Sequence, residues 1–255
     1  ETAMHRGLWS FVFLFFFLFF FSNTKEFRLL FYSYKKIIIL SVTAMLITVN
    51  WTGFIYSVSI KQVQDASLGY FLTPMISICL GYIFLKESVN INKIFSFLLM
   101  FFACLILFIK LENFPYIAIL IGTTWAVYGL LRKQIKVSPA TGLLYESAII
   151  TCVALPYLMY LSFYGSSYFK IELSFTSFML ISTGLVTIFP LFFFNLGLKY
   201  ISLGLAGVLF YIAPSFHFIT SIYILDEHMS FDKLIAFVMI WLGVCVFLYD
   251  VLKKI

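Results

Sequence analysis

Residues 71–87 read Phe-Leu-Thr-Pro-Met-Ile-Ser-Ile-Cys-Leu-Gly-Tyr-Ile-Phe-Leu-Lys-Glu, and residues 211–227 read Tyr-Ile-Ala-Pro-Ser-Phe-His-Phe-Ile-Thr-Ser-Ile-Tyr-Ile-Leu-Asp-Glu. Each opens on an aromatic residue, places a proline three positions on (Pro74, Pro214), and ends an apolar run in Leu-x-Glu (Glu87, Glu227). The two stretches lie 140 positions apart, and the same shift puts Thr43 on Thr183, Phe54 on Phe194 and Lys93 on Lys233 with no gap. A self-similarity of that length is an internal duplication, and it decides how the rest of the chain is read.

The solvent is set by composition. Of 255 residues 63% are hydrophobic, 21% aromatic and 11% charged, and mean hydropathy is +1.05. A soluble domain carries roughly 25% charged residues and could not hide 33 Phe. Disorder and a disulfide scaffold are excluded on the same grounds. Apolar stretches near 2–21, 36–60, 65–85, 91–109, 114–131, 141–163, 174–198, 203–225 and 231–251 are each of bilayer-crossing length, about nine spans. They run without alternation, so they are helices rather than strands of a barrel. The first is read as a span and not a signal peptide, because Ser22-Asn23-Thr24-Lys25 follows it instead of a cleavage site. Cys79, Cys104, Cys152 and Cys245 fall inside spans and are expected to be small buried apolar residues. No metal-ligand spacing and no cofactor motif appears.

The shift pairs the first four spans with the last four and leaves 114–131 alone. Its partner would lie upstream of residue 1, so the expected parent unit is five helices, twice. The expected domains are an N-terminal repeat at 1–110 lacking its first helix and a C-terminal repeat at 111–255. Five is odd, so the halves are inverted, a transporter signature with a site near the midplane. Loop charge agrees. Lys25, Arg28, Lys35, Lys36; Lys86, Lys93; Arg132, Lys133, Lys136; Lys199; and Lys253, Lys254 occupy every second loop, while the others hold Lys61, Lys110, Lys170 or Lys233. Positive loops stay inside, which places the C-terminus in the cytoplasm and explains the net charge of +6. The basic residues are scattered, so no nucleic-acid partner is implied.

Ionisable residues at membrane depth are functional candidates by default. His5, Arg6, Glu146 and His217 are such residues, and the shift superposes Arg6 on Glu146. An ion pair between them would lower the cost of both charges. Protonation of Glu146 would release Arg6, which makes proton coupling the expectation for this pair. Both open oppositely directed helices, so their depths need not coincide. Asn50, Trp51, Asn195, Trp9 and Trp125 are further cavity candidates. Small residues precede Pro74 and Pro214, so kinked helices there are gate candidates. The bland alternatives are ordinary packing, belt tryptophans and a snorkelling arginine.

His5-Arg6-x-x-Trp9-Ser10, Asn50-Trp51-x-x-Phe54-Ile55, Ala66-Ser67-Leu68-Gly69-Tyr70-Phe71-x-x-Pro74, Tyr128-Gly129-Leu130-x-Arg132-Lys133, Thr141-Gly142-x-x-x-Glu146 and Tyr211-Ile212-x-Pro214 occur in an order and spacing that resembles the RarD-like permeases of the EamA branch of the drug/metabolite transporter superfamily. The resemblance spans essentially the whole chain. It implies a ten-helix all-α fold in a bacterial inner membrane but carries no binding-residue list; Ser67, Tyr70, Tyr128 and Tyr211, which stand within these motifs, complete the cavity candidates. The resulting expectation is a secondary transporter of small organic metabolites or drugs, with the bilayer and a small molecule as partners and the oligomeric state open. The competing readings are a non-transporting scaffold or sensor, and a membrane enzyme built on Asp226, Glu227, His228 and Asp232. No catalytic set supports the latter, and the chain has no room for a nucleotide-hydrolysing domain.

Overall fold

In the computed structural model, residues 1–21, 25–60, 63–109, 114–170, 174–216 and 231–253 are described. Among them the fold is all helix: α1 (Thr2–Phe21), α2 (Lys25–Leu30), α3 (Tyr34–Ser59), α4 (Val63–Leu85), α5 (Ile91–Ile109), α6 (Tyr116–Gln134), α7 (Pro139–Phe163), α8 (Phe175–Gly197), α9 (Leu203–Leu209) and α10 (Phe231–Leu252). Seven of these are long and apolar enough to cross a membrane. Helix α6 carries Arg132 and Lys133 in its last turn, and the apolar helix at Leu203–Phe216 is shorter. Local chemistry sets the ends. Ser138, Ser174 and Ser202 cap α7, α8 and α9 by accepting from Thr141, Ser177 and Leu205 N–H. Asn90 Oδ1 accepts from Lys93 N–H at the start of α5. The outward faces are apolar, with Phe19 65% and Phe20 67% exposed on α1, a surface that belongs against lipid tails rather than water.

Three readings are corrected. The stretch 203–225 is not one helix: α9 stops at Leu209 and helical residues resume at 212–216 after a turn at Phe210–Tyr211. There Phe210 and Tyr211 N–H donate to carbonyls three residues back, and Pro214 has no N–H to restore the regular pattern. The cysteines are not all buried, because Cys79, Cys152 and Cys245 face outward and only Cys104 lies inside. A thiol is apolar enough to sit on a lipid-facing surface. Helix α2, in what was read as a loop, was not foreseen.

The chain divides into two compact units, 1–52 with 131–200 and 53–130 with 201–255. In the first, α1 packs on α7 and α8, and α2 on α7. Glycines permit the approach. A Cβ on Gly7 would lie 2.3 Å from Ile150 Cγ2, and one on Gly184 would lie 2.6 Å from the backbone of Trp9. Leu30 of α2 is buried with Leu40, Ile135 and Val137. In the second unit α5 packs on α10 and α4 on α9. Its core gathers Phe71, Met75, Met100, Cys104, Tyr211, Phe237 and Phe247.

Candidate substrate and coupling site

The first unit holds a buried polar cluster. Glu146, on α7 and 2% exposed, accepts a hydrogen bond from the Thr43 hydroxyl of α3 at 2.6 Å. Arg132, in the last turn of α6 and 6% exposed, lies 3.6 Å from the same carboxylate oxygen through its Nε. That Nε donates to Asn195 Oδ1 of α8 at 2.8 Å, and Asn195 Nδ2 donates to Leu191 O. Four helices thus converge on one buried ion pair, in which Arg132 Nε and the Glu146 carboxylate are hydrogen-bonded while Arg132 Nη1 is buried with no hydrogen-bond partner. Gly142 makes room for it, since a Cβ there would meet Arg132 Nη1 at 1.9 Å.

Arg132, expected in the loop after residue 131, belongs to the last turn of α6. It continues α6 inward instead of standing in a cytoplasmic loop, while its neighbour Lys133 caps α8 by donating to Leu198 O at 2.8 Å. The signal available in the sequence was Thr141-Gly142-x-x-x-Glu146: a glycine one turn before a buried carboxylate leaves space for a large partner.

Arg6 of α1 donates from Nε to Thr187 Oγ1 at 2.6 Å, and its guanidinium stacks 4.3 Å from the Trp51 ring centroid. Thr187, Trp51 and Glu146 line one cavity with Ser10, Leu14, Ile47, Leu143, Ser147, Ile150, Ile188 and Leu191. Its open volume is about 20 Å³, room for one water and too little for a metabolite. Ile150, one turn beyond Glu146, packs on Gly7 beside Arg6. Of the two charges that the shift superposes, Glu146 lines the cavity and Arg6 touches two of its wall residues, Thr187 and Trp51.

The other candidates separate. In the first unit His5 is buried at 3.5 Å from Glu1 with its ring 5.1 Å from Phe169. Trp9 packs on Phe13 and Phe169, and Asn50 is buried on α3. In the second unit Trp125 lies 5.7 Å from Tyr128 and 5.3 Å from Phe210, and Tyr70 packs on Phe54. The Tyr211 hydroxyl donates to Phe71 O at 3.1 Å, with Cys104 Sγ as a second donor to the same carbonyl at 3.7 Å. Pro74 is accommodated inside an unbroken α4, whereas Pro214 follows the break after α9. Ser67 lies on α4 with its side chain outside the described set, and His217, Asp226, Glu227 and His228 lie outside the described residues.

Two groups outside the spans anchor the loops. The Glu26 carboxylate of α2 accepts from Ser138 N–H at 2.8 Å and from the Thr141 hydroxyl at 3.0 Å. Burial pushes its pKa up, but the bonds from Ser138 and Thr141, with Lys199 nearby, outweigh this and hold it below the ordinary carboxylate range. The Glu87 carboxylate accepts from Leu203 N–H at 2.6 Å and Gly204 N–H at 3.2 Å, at the positive end of α9.

Apolar helices of bilayer length around a buried, charged cluster define a polytopic membrane protein. The model of the EamA-like transporter family matches residues 2–109 and 115–249. The chain belongs to this family and is a membrane transporter of the drug/metabolite type. It is 32% identical to an uncharacterized transporter of Vibrio cholerae, over 99% of this chain and 84% of that protein. It is 31% identical to Protein RarD of Escherichia coli, over 98% of this chain and 84% of that protein. It is also 31% identical to the uncharacterized transporter YojE of Bacillus subtilis, over 99% of this chain and 85% of that protein. A solved crystal structure, 14% identical, matches with a TM-score of 0.64 over 96% of this chain and 85% of that one, a likeness of fold alone.

Proposed function

We propose that the protein is a secondary transporter of small organic metabolites, working by alternating access between two inverted repeats, 1–110 and 111–255, and coupled to protons through Glu146. It sits in a bacterial inner membrane with its C-terminus in the cytoplasm. The observation that carries this reading is the buried cluster of Glu146, Arg132, Asn195 and Thr43 beside a cavity whose wall residues Thr187 and Trp51 are touched by Arg6. A protonatable carboxylate in an ion pair is a switch: a proton on Glu146 removes its hold on the Arg132 guanidinium and repacks the helices that meet there. Helix pairing supports the repeat. Helix α1 packs on α7, α4 on α9 and α5 on α10, and in each pair the partners are the spans that the 140-residue shift superposes. Helices α4 and α9 start at Val63 and Leu203, and α5 and α10 at Ile91 and Phe231, each 140 residues apart.

The test is flux in proteoliposomes loaded with a pH-sensitive dye and challenged with a panel of small aromatic metabolites: phenylpyruvate, p-aminobenzoate and tryptophan. The protein is expected to couple at least one of them to proton movement, with Glu146→Gln losing the pH dependence. Solute flux that ignores pH and is unchanged by Glu146→Gln would sink the coupling.

A further inference from the structure

The elbow between α1 and α3 differs from the rest of the first unit's surface. Lys25 and Arg28 lie on α2, and Lys35 and Lys36 follow in the first turn of α3. Glu26 is the one acidic residue between 22 and 36, and its carboxylate is engaged by Ser138 and Thr141 at the start of α7. Leu30 is buried against Leu40 of α3 and against Ile135 and Val137 of the link between α6 and α7. Lys136 stands between those last two and is exposed. Lys199, just past α8, brings its charge near Glu26. Cations from three separate links are thus gathered at one end of the first unit. Helical spacing sorts the side chains of α2. Glu26 and Leu30, four apart, face the body of the unit. Lys25, Arg28, Leu29 and Tyr32, at i, i+3, i+4 and i+7, are all exposed, Leu29 at 63% and Tyr32 at 88%. Phe31 and Tyr34 are exposed beside them. Cations interleaved with large apolar side chains suit the level of lipid headgroups, where rings meet acyl chains and charges meet phosphates. The position agrees, because this is where the candidate span in α1 ends and those in α3 and α7 begin.

We infer that this elbow is a binding surface for anionic phospholipid: the phosphate at Arg28, Lys35, Lys36 and Lys136, the acyl chains alongside Leu29, Phe31 and Tyr32. A zwitterionic headgroup carries its own cation and gains little from the cluster. A free phosphate ester has no part that uses the apolar stripe. The surface is formed in advance, because Glu26 and Leu30 already hold α2 in place, so little ordering entropy opposes binding. The contact also reaches inward. Thr141, which donates to Glu26, adjoins Gly142, against which Arg132 packs. A lipid that clamps α2 therefore steadies the corner of α6 and α7 that carries the buried ion pair, and its binding is read as thermal stability.

The full chain, purified in a neutral detergent, is titrated with dioleoylphosphatidylglycerol, with dioleoylphosphatidylcholine and with glycerol phosphate. Thermal stability is read together with the lipid retained in native mass spectrometry. Phosphatidylglycerol is expected to give a saturable rise in Tm and a retained adduct, and the other two neither. Arg28→Gln/Lys35→Gln/Lys36→Gln should weaken apparent affinity about a hundredfold. Lys86→Gln/Lys170→Gln/Lys253→Gln, the same loss of charge at other exposed positions, should bind as the parent does. So should Arg28→Lys/Lys35→Arg/Lys36→Arg, which keeps the charge. Leu29→Ser/Tyr32→Ser changes exposed positions only. It should lose the adduct while keeping the Tm of the lipid-free protein, which leaves the test decisive if the first charge variant does not fold. Four results would each overturn the inference. They are stabilisation by phosphatidylcholine equal to that by phosphatidylglycerol, a response to glycerol phosphate equal to that to the lipid, equal losses in the two charge-removing variants, and unchanged affinity in Leu29→Ser/Tyr32→Ser.

Discussion

A methyl group at position 142 would sit 1.9 Å from Arg132 Nη1 and 2.6 Å from the guanidinium carbon. That guanidinium is held by Asn195 and by Glu146 and cannot withdraw without leaving a buried carboxylate exposed to an apolar wall. Gly142→Ala is therefore expected to destabilise the protein by about 1–3 kcal/mol, read as a fall in Tm of the purified protein. Gly197→Ala, where a Cβ meets nothing within 4 Å, serves as the neutral comparison, and an equal loss in both variants would refute the packing argument. Residue chemistry was partly legible in the sequence. Glu146, Arg6 and Trp51 declared themselves by being charged or amphipathic within apolar runs. Arg132 did not, because a basic pair at the end of an apolar stretch has the pattern of a cytoplasmic loop. Only Lys133 behaves as a helix-end cation should, and the path of Arg132 depends on a glycine on another helix.

At the scale of elements, two carboxylates tie loops to helix starts. Glu87 closes the end of α4 onto the first N–H groups of α9, which gives the first copy of the Leu-x-Glu motif a physical purpose. Glu87→Ala is expected to cost about 1–2 kcal/mol and to raise amide exchange first at 203–209, and uniform exchange across the chain would count against it. Glu26 does the same for α2 and α7. Its folded-state pKa is lowered, so its contribution is complete above the ordinary carboxylate range and is lost as pH falls through the lower, folded value. Tryptic cleavage at Lys25 and Arg28 is expected to be slow at neutral pH and fast already at neutral pH in Glu26→Gln. Resistance of that variant equal to the parent would remove Glu26 as the anchor. The seven long apolar helices among the described residues were legible because lipid demands length and hydropathy, and both are local properties. Helix α2, six residues long, has no such signature and exists because Leu30 is buried beside Leu40, Ile135 and Val137. The turn at Phe210–Tyr211 was half legible: Pro214 forecast a disturbance, and only the packing of Tyr211 on Phe71 turned it into an interruption.

At the scale of the whole molecule the loop charges make a topological prediction. Ser88 lies in a loop expected inside and Ser166 in one expected outside, and both are exposed. In a background without Cys79, Cys104, Cys152 and Cys245, Ser166→Cys should react with an impermeant maleimide in right-side-out vesicles and Ser88→Cys only in inverted ones. Labelling of both from one side would refute the inverted arrangement. The contact between Phe71 and Tyr211 carries a further consequence. The 140-residue shift makes these two positions equivalent, and they touch each other, as equivalent positions do on a twofold axis. The two differ by one oxygen, and that oxygen serves one side only: Tyr211 donates to the carbonyl of Phe71, and Phe71 has nothing to return. A carrier whose two states exchange the roles of its halves would rest with those states equally filled if its halves were alike. On the proposed alternating-access reading, one hydrogen bond of about 1 kcal/mol absent from the mirror state would leave the two unequal by about fivefold. Tyr211→Phe should level that resting bias, seen as a changed ratio of inside to outside labelling at a cavity cysteine. A ratio identical to the parent's would show that the asymmetry lies elsewhere. In that light the hydroxyl of Tyr211 is ballast, a weight on one arm of an otherwise even balance.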